Sequence, residues 1–155
     1  LMIGCVDNHW ARREIAKTVT AFDGRIWALD SGNEQNSGQI LIGNLTDTSQ
    51  IKLDRLGLCS GLPSPYIQEP DLLEPDPEAR SQSCAEMGDG ALGDGTPLAE
   101  TQSLMVNRMA ATIAAEYAAV FVLQRQITQL RTAFNLQPLI AHSQSITQTV
   151  LRSYG

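Results

Sequence analysis

The stretch Leu1-Met2-Ile3-Gly4-Cys5-Val6-Asp7-Asn8-His9-Trp10-Ala11-Arg12 decides the fold. Its first six residues form a short, nearly continuous apolar run, the pattern of a strand covered on both faces, with Cys5 as a core residue. Asp7-Asn8 ends the run, and either side chain suits the N-cap of a following helix. That helix is expected from about His9 to Phe22, with Trp10, Ile15, Val19 and Phe22 spaced to share one face. Asp23-Gly24 turns the chain. Arg25 to Asp30 then reads as a second strand, followed by the loop Ser31-Gly32-Asn33. Strand, helix and strand in this order form the right-handed unit of a parallel sheet. Gly38 to Gly43 supplies a third strand, and Gln50 to Leu53 is a candidate fourth.

Further along, Leu98 to Gln124 contains no Gly or Pro and is rich in Ala, Leu, Met and Gln. Thr96 suits its N-cap, with Pro97 at the first helical position. Met105, Met109, Ile113, Tyr117 and Phe121 recur every four residues and mark the expected buried stripe, a core or dimer-interface seam. The alanines beside it permit close packing. Leu130, Thr132, Phe134 and Leu136 alternate as a strand; after Pro138, Ile146 to Val150 reads as another. Both are expected as antiparallel additions to the edge of the sheet. The fold class is therefore α/β.

The 155 residues suffice for one domain with a real core. Charge is unevenly spread. Residues 1–53 carry −1, residues 54–100 carry −8 and residues 101–155 carry +3, for a net charge of −6. An acidic chain of this kind argues against a nonspecific grip on nucleic acid or anionic lipid. The middle segment also holds six of seven prolines and six of twelve glycines, so residues 54–97 read as a long acidic crossover loop within the single domain. No uninterrupted apolar run reaches the length of a membrane span. Cys5, Cys59 and Cys84 form neither a CxxC pair nor an even disulfide framework, which points to a reducing, cytoplasmic compartment. The chain opens inside an apolar run, without an initiator Met or a signal peptide, and is expected to be a piece of something longer.

Open parallel sheets bind ligands at the carboxyl ends of their strands, where Asp7-Asn8 and Asp30-Ser31-Gly32-Asn33 both fall. A carboxylate there suits Mg²⁺ beside a triphosphate. Arg12, one helical turn past Asn8, is placed to reach the same site. The plainer alternative has Asp7 or Asn8 capping the helix and Arg12 facing water. Cys84, within Ser81-Gln82-Ser83-Cys84-Ala85-Glu86, is either a nucleophilic thiol or an incidental one, and Glu86 and Asp89 disfavour its thiolate. His9 and His142 lack metal-ligand spacing, and no Gly-x-Ser-x-Gly elbow exists. Gly88 to Gly95 lacks the GK[ST] ending of a phosphate loop.

Together these pieces resemble the ThiF/MoeB/HesA family, bacterial relatives of ubiquitin-activating enzymes, over most of residues 1–125. Asp7-Asn8-His9-Trp10-Ala11-Arg12 looks like that family's strand-ending D-N-x-x-x-R. Asp30-Ser31-Gly32-Asn33 with Ser37-Gly38-Gln39-Ile40 resembles its next strand, loop and G-Q-hydrophobic strand. Ser83-Cys84-Ala85-Glu86 resembles the cysteine segment of its crossover loop, in the version found in ThiF-like proteins of PRTRC plasmid systems. The resemblance implies the C-terminal part of a Rossmann-like domain that uses ATP and Mg²⁺. Such domains adenylate the C-terminal glycine of a ubiquitin-like or sulfur-carrier protein, and a homodimer is the expected assembly. It further implies that Asp7 holds Mg²⁺ and orients the phosphates, that Asn8 contacts ATP, and that Arg12 supports the site. Cys84 would be the residue joined to the carrier.

Several departures accompany the resemblance. The family's glycine-rich loop, ribose-binding acid and catalytic Arg and Lys would precede Leu1, so these residues alone are expected to bind ATP poorly. The paired CxxC zinc motifs are missing, and no zinc site is expected. Met87-Gly88-Asp89-Gly90 stands where the family has G-V-x-G-P. The alternative reading is a catalytically inactive ThiF-like scaffold or dimerisation partner. A dinucleotide-dependent enzyme on the same general fold is a third.

Overall fold

A computed structural model of the chain describes residues 1–6, 8–51, 60–75 and 104–154. It is a mixed α/β structure built on one open five-stranded sheet in the order β1-β2-β3-β4-β5. β1 (Met2–Gly4) leads into helix α1 (His9–Ala21), which returns the chain to β2 (Ala28–Asn33), parallel to β1. This is the crossover expected from the opening residues. The rest of the sheet is antiparallel. β2 does not stop at Asp30 but runs on through the expected loop to Asn33 and turns directly into β3 (Ser37–Gly43). Only Glu34 to Asn36 separate the two strands, and so short a link joins antiparallel neighbours alone.

β3 pairs with β4 (Gln129–Leu136), which turns through Gln137-Pro138 into β5 (Leu139–Ser145). The last strand thus lies earlier than the expected one. Residues 146–150 instead enter the short helix α4 (Gln148–Arg152), because Thr147 accepts a hydrogen bond from the Val150 amide at 3.2 Å and caps it. β5 already occupies the edge of β4 that the later segment was expected to fill. Gln50 does not begin a strand either, since Thr48–Gln50 is a 3-10 turn capped by Asp47.

Helices cover both faces of the sheet. α3 (Leu104–Ala119), prolonged by a π turn over Val120–Gln124, lies across one face. Its Val106, Ala110, Ala114 and Tyr117 meet Leu29, Ile40, Ile42 and Phe134. The seam is therefore rotated by about one position from the expected stripe. Met109, Ile113 and Phe121 flank it, while Met105 is 59% exposed. Two alanines at the centre let the helix approach the sheet closely, so the small residues form the contact. Among the described residues, Leu104–Gln124 is the one helix long and apolar enough by composition to cross a membrane. Here its Val106–Tyr117 side is part of the core.

The opposite face is covered by α1, α2 (Pro65–Gln68) and the 3-10 turn Pro70–Leu73. Val19, Ala28 and Tyr66 are buried there, with Met2, Ile15, Ala16, Leu72 and Leu73 around them. Trp10 and Phe22 do not join this core, being 67% and 48% exposed. α1 sits over the edge of the sheet and buries only a narrow stripe. Trp10 finds cover on its own helix instead, against the His9 ring at 4.8 Å and the Arg13 guanidinium at 5.3 Å. β1 is likewise covered on one face only: Ile3 is 51% exposed, and Cys5 is exposed rather than in the core.

Part of the acidic middle segment is well packed. Gly61 to Tyr66 are buried, Pro63 bridges to Leu45, and the Asn44 side chain accepts the Leu62 amide at 2.9 Å. Pro65 opens α2 at a position where its missing N–H costs nothing. Residues 54–59 and 76–97, including Cys59 and Cys84, lie outside the described residues.

Candidate functional site

The carboxyl ends of β1 and β2 gather the polar residues of the molecule's α1 side. Asn8 stands at the N-cap of α1 in extended backbone, and its Oδ1 accepts the Ala11 amide at 2.8 Å. The capping reading of Asn8 is thus realised. Asp7, expected to hold Mg²⁺, lies outside the described residues, as does Cys84.

Arg12 does not face water. Its side chain is 13% exposed, and its Nε lies 3.4 Å from Oδ1 of Asp30, whose side chain is 1% exposed. Tyr66 completes the cluster by donating its hydroxyl to Asp30 Oδ2 at 3.3 Å. Two glycines make room for it. At Gly32 a Cβ would come within 3.2 Å of Arg12 Nη2, and at Gly4 one would come within 3.4 Å of Asp30 Oδ2. The guanidinium therefore crosses β2 over Gly32, where a Cβ would make it give by a few tenths of an ångström.

Electrostatics sets the character of this cluster. Burial raises the pKa of Asp30 above its ordinary value, and the opposing pull of Arg12 and the Tyr66 hydroxyl does not cancel that effect. Burial and the Asp30 carboxylate likewise push the Tyr66 phenol upward. Arg12 keeps its charge in any surroundings, so the pair is a permanent cation held beside a reluctant anion. Asp30 is thus engaged in the core and is not offered to a metal. Among the described residues, no group of three His, Cys, Asp or Glu side chains is placed to hold one. The Mg²⁺ expectation therefore rests on Asp7 alone.

On the other face, a groove of about 500 Å³ opens between α3 and the β4–β5 hairpin. Its walls include Met109, Ile113, Val120 and Ile127. A row of hydroxyls crosses its floor: Tyr117 to Thr132 at 2.9 Å, and Thr132 to Ser143 at 2.8 Å. Burial raises the Tyr117 pKa, so it remains a neutral phenol in this row.

Sequence reasoning placed Asp30 at a strand end and Arg12 one helical turn past Asn8 but did not join them, and it missed Tyr66. The available signal was Ser64-Pro65-Tyr66-Ile67-Gln68, a helix start with proline at N1. No family model matches the chain, and no curated protein matches it significantly.

Proposed function

We propose that this chain is the C-terminal part of a Rossmann-like adenylating domain of the ThiF/MoeB/HesA type. In this reading its substrate is the C-terminal glycine carboxylate of a ubiquitin-like or sulfur-carrier protein in the cytoplasm. The carboxylate attacks the α-phosphorus of ATP, forms an acyl–phosphate bond and expels pyrophosphate. Asp7 is the residue that would hold the accompanying Mg²⁺, and Cys84 the thiol that would take up the carrier.

One observation carries the reading. The Arg12–Asp30 pair ties the first turn of α1 to the middle of β2, beside the carboxyl end of β1. This holds Asn8, the N-cap of α1, beside the parallel strand pair, the kind of place where α/β sheets take nucleotides. Positioning and charge stabilisation are what such a transfer asks of a protein. Arg12 acts here as a positioning residue and does not contact the phosphates.

ATP–pyrophosphate exchange by the full-length gene product, supplied with Mg²⁺ and its carrier, tests the proposal. Exchange is expected, and Asp7→Ala should lower it about 100-fold or more. An active protein indifferent to Asp7→Ala, or a folded one without exchange, would overturn it. A specific observation also favours the scaffold reading: Asn8 Oδ1 is engaged as a cap and Arg12 and Asp30 engage each other. ATP binding without exchange is its signature.

A further inference from the structure

We propose that the groove between α3 and the β4–β5 hairpin binds a small amphipathic amine, its hydrocarbon body along the apolar walls and its ammonium facing Glu116 and the hydroxyl oxygens of the floor. The volume, about 500 Å³, lies in the range of small-molecule sites. Met109, Ile113, Val120 and Ile127 offer the body a hydrocarbon surface. Val120 belongs to the π turn that prolongs α3, a distortion of the helical ladder that recurs at functional sites.

The character of the ligand's head follows from where the groove's hydroxyl protons go. A hydroxyl has one proton to donate and two lone pairs with which to accept. Thr132 Oγ1 has three partners: the Tyr117 hydroxyl at 2.9 Å, the Ser143 hydroxyl at 2.8 Å and Gln129 Oε1 at 3.5 Å. An amide oxygen only accepts, so Thr132 donates to Gln129, while Tyr117 and Ser143 both donate to Thr132. Burial keeps Tyr117 a protonated phenol, able to do so. Thr112, also on the groove wall, donates to the Arg108 carbonyl at 2.7 Å. All four protons are thus engaged, and Tyr117, Ser143 and Thr112 present only lone pairs. A ligand head must donate to them. A carboxylate or phosphate, which accepts, meets no donor in this set.

Charge points the same way. Glu116 is the one charged side chain among the residues lining the groove. It is exposed, and no described cation pairs with it. A hydrogen bond from a cation to a carboxylate is stronger than a neutral one. An ammonium brings three donors together with the charge, and so matches both the carboxylate and the floor.

This site lies on the opposite face of the sheet from α1 and does not depend on the adenylation reading. The probe is 2-phenylethylamine, set against its neutral and anionic counterparts 2-phenylethanol and 3-phenylpropanoate. Titrations of the full-length gene product are read from the NMR methyl signals of Met109, Ile113 and Ile127. The amine is expected to shift them saturably, the alcohol to bind at least about tenfold more weakly, and the acid not to bind. Glu116→Gln, a change at an exposed position, should weaken the amine about tenfold and leave the alcohol as it was. Ser143→Ala removes a floor acceptor and should weaken both. The proposal is overturned by an amine that gives no saturable shift at these methyls, by equal binding of the three probes, or by an amine affinity indifferent to either substitution. If Ser143→Ala fails to fold, Glu116→Gln decides alone.

Discussion

Leu29 and Asp30 are neighbours on β2 and live in different chemical worlds. Leu29 points under α3, into a layer of hydrocarbon shared with Ile40, Ile42, Val106 and Ala110. Asp30 points the other way, under α1, and meets Arg12 and Tyr66. Both side chains are almost fully buried. The α3 face is held by contact area, which any apolar group of similar shape can supply. The cluster under α1 is held by an ion pair and the Tyr66 hydrogen bond, which only particular partners supply. Stability and address are thus divided between the two faces of one strand.

The sharpest way to break this contrast is Asp30→Ala. It leaves a buried guanidinium that cannot shed its charge, and urea unfolding should show a loss of about 3–5 kcal/mol. Arg12→Met should cost less, because the Asp30 left behind can take up a proton. The pH dependence follows from the same group. Folding raises the Asp30 pKa above its ordinary 3.8, so the native state holds that proton more tightly than the unfolded chain. The resulting stabilisation is complete below the ordinary value and is lost as pH climbs through the raised one. Denaturant midpoints across that window should therefore show the parent chain losing ground to Asp30→Asn as pH rises.

Leu29→Ala tests the other face. Its cost should be about 3 kcal/mol in the same unfolding assay, with no pH trend of its own. Replacing Asn8 by Ala removes one cap and should cost about 1 kcal/mol. Trp10→Ser is expected to shift stability by less than about 0.5 kcal/mol, since the ring lies outside both cores. A large effect at Trp10 would mean that α1 is buried more deeply than its exposure shows.

The opening crossover was legible because each signal was local: an apolar run, a capping residue, a helical spacing and a Gly turn. β4 was legible from its alternation, and α3 from its length without Gly or Pro. The α3 seam was misplaced because Ala110 and Ala114 contribute contact through smallness, which a search for large apolar residues passes over. β5 was hidden by its composition, since Ala, Ser and Gln carry little strand preference. Ile146 to Val150 carried more, and Thr147 overrode it by capping a helix. In the candidate site, Arg12 and Asp30 were each visible while their partnership was not. They are eighteen positions apart, and only the crossover brings them together. Tyr66 was obscured by the prolines around it.

Gly32 gives this partnership a practical consequence. Arg12 lies over β2 where Gly32 leaves a shallow notch, so helix and strand are fitted to each other at that point. Grafting α1 alone onto another sheet would carry a guanidinium away from its carboxylate, and filling the notch would crowd it here. The smallest transplantable piece of this protein is therefore the whole β1–α1–β2 crossover, and anyone recombining such domains should place the seams outside it.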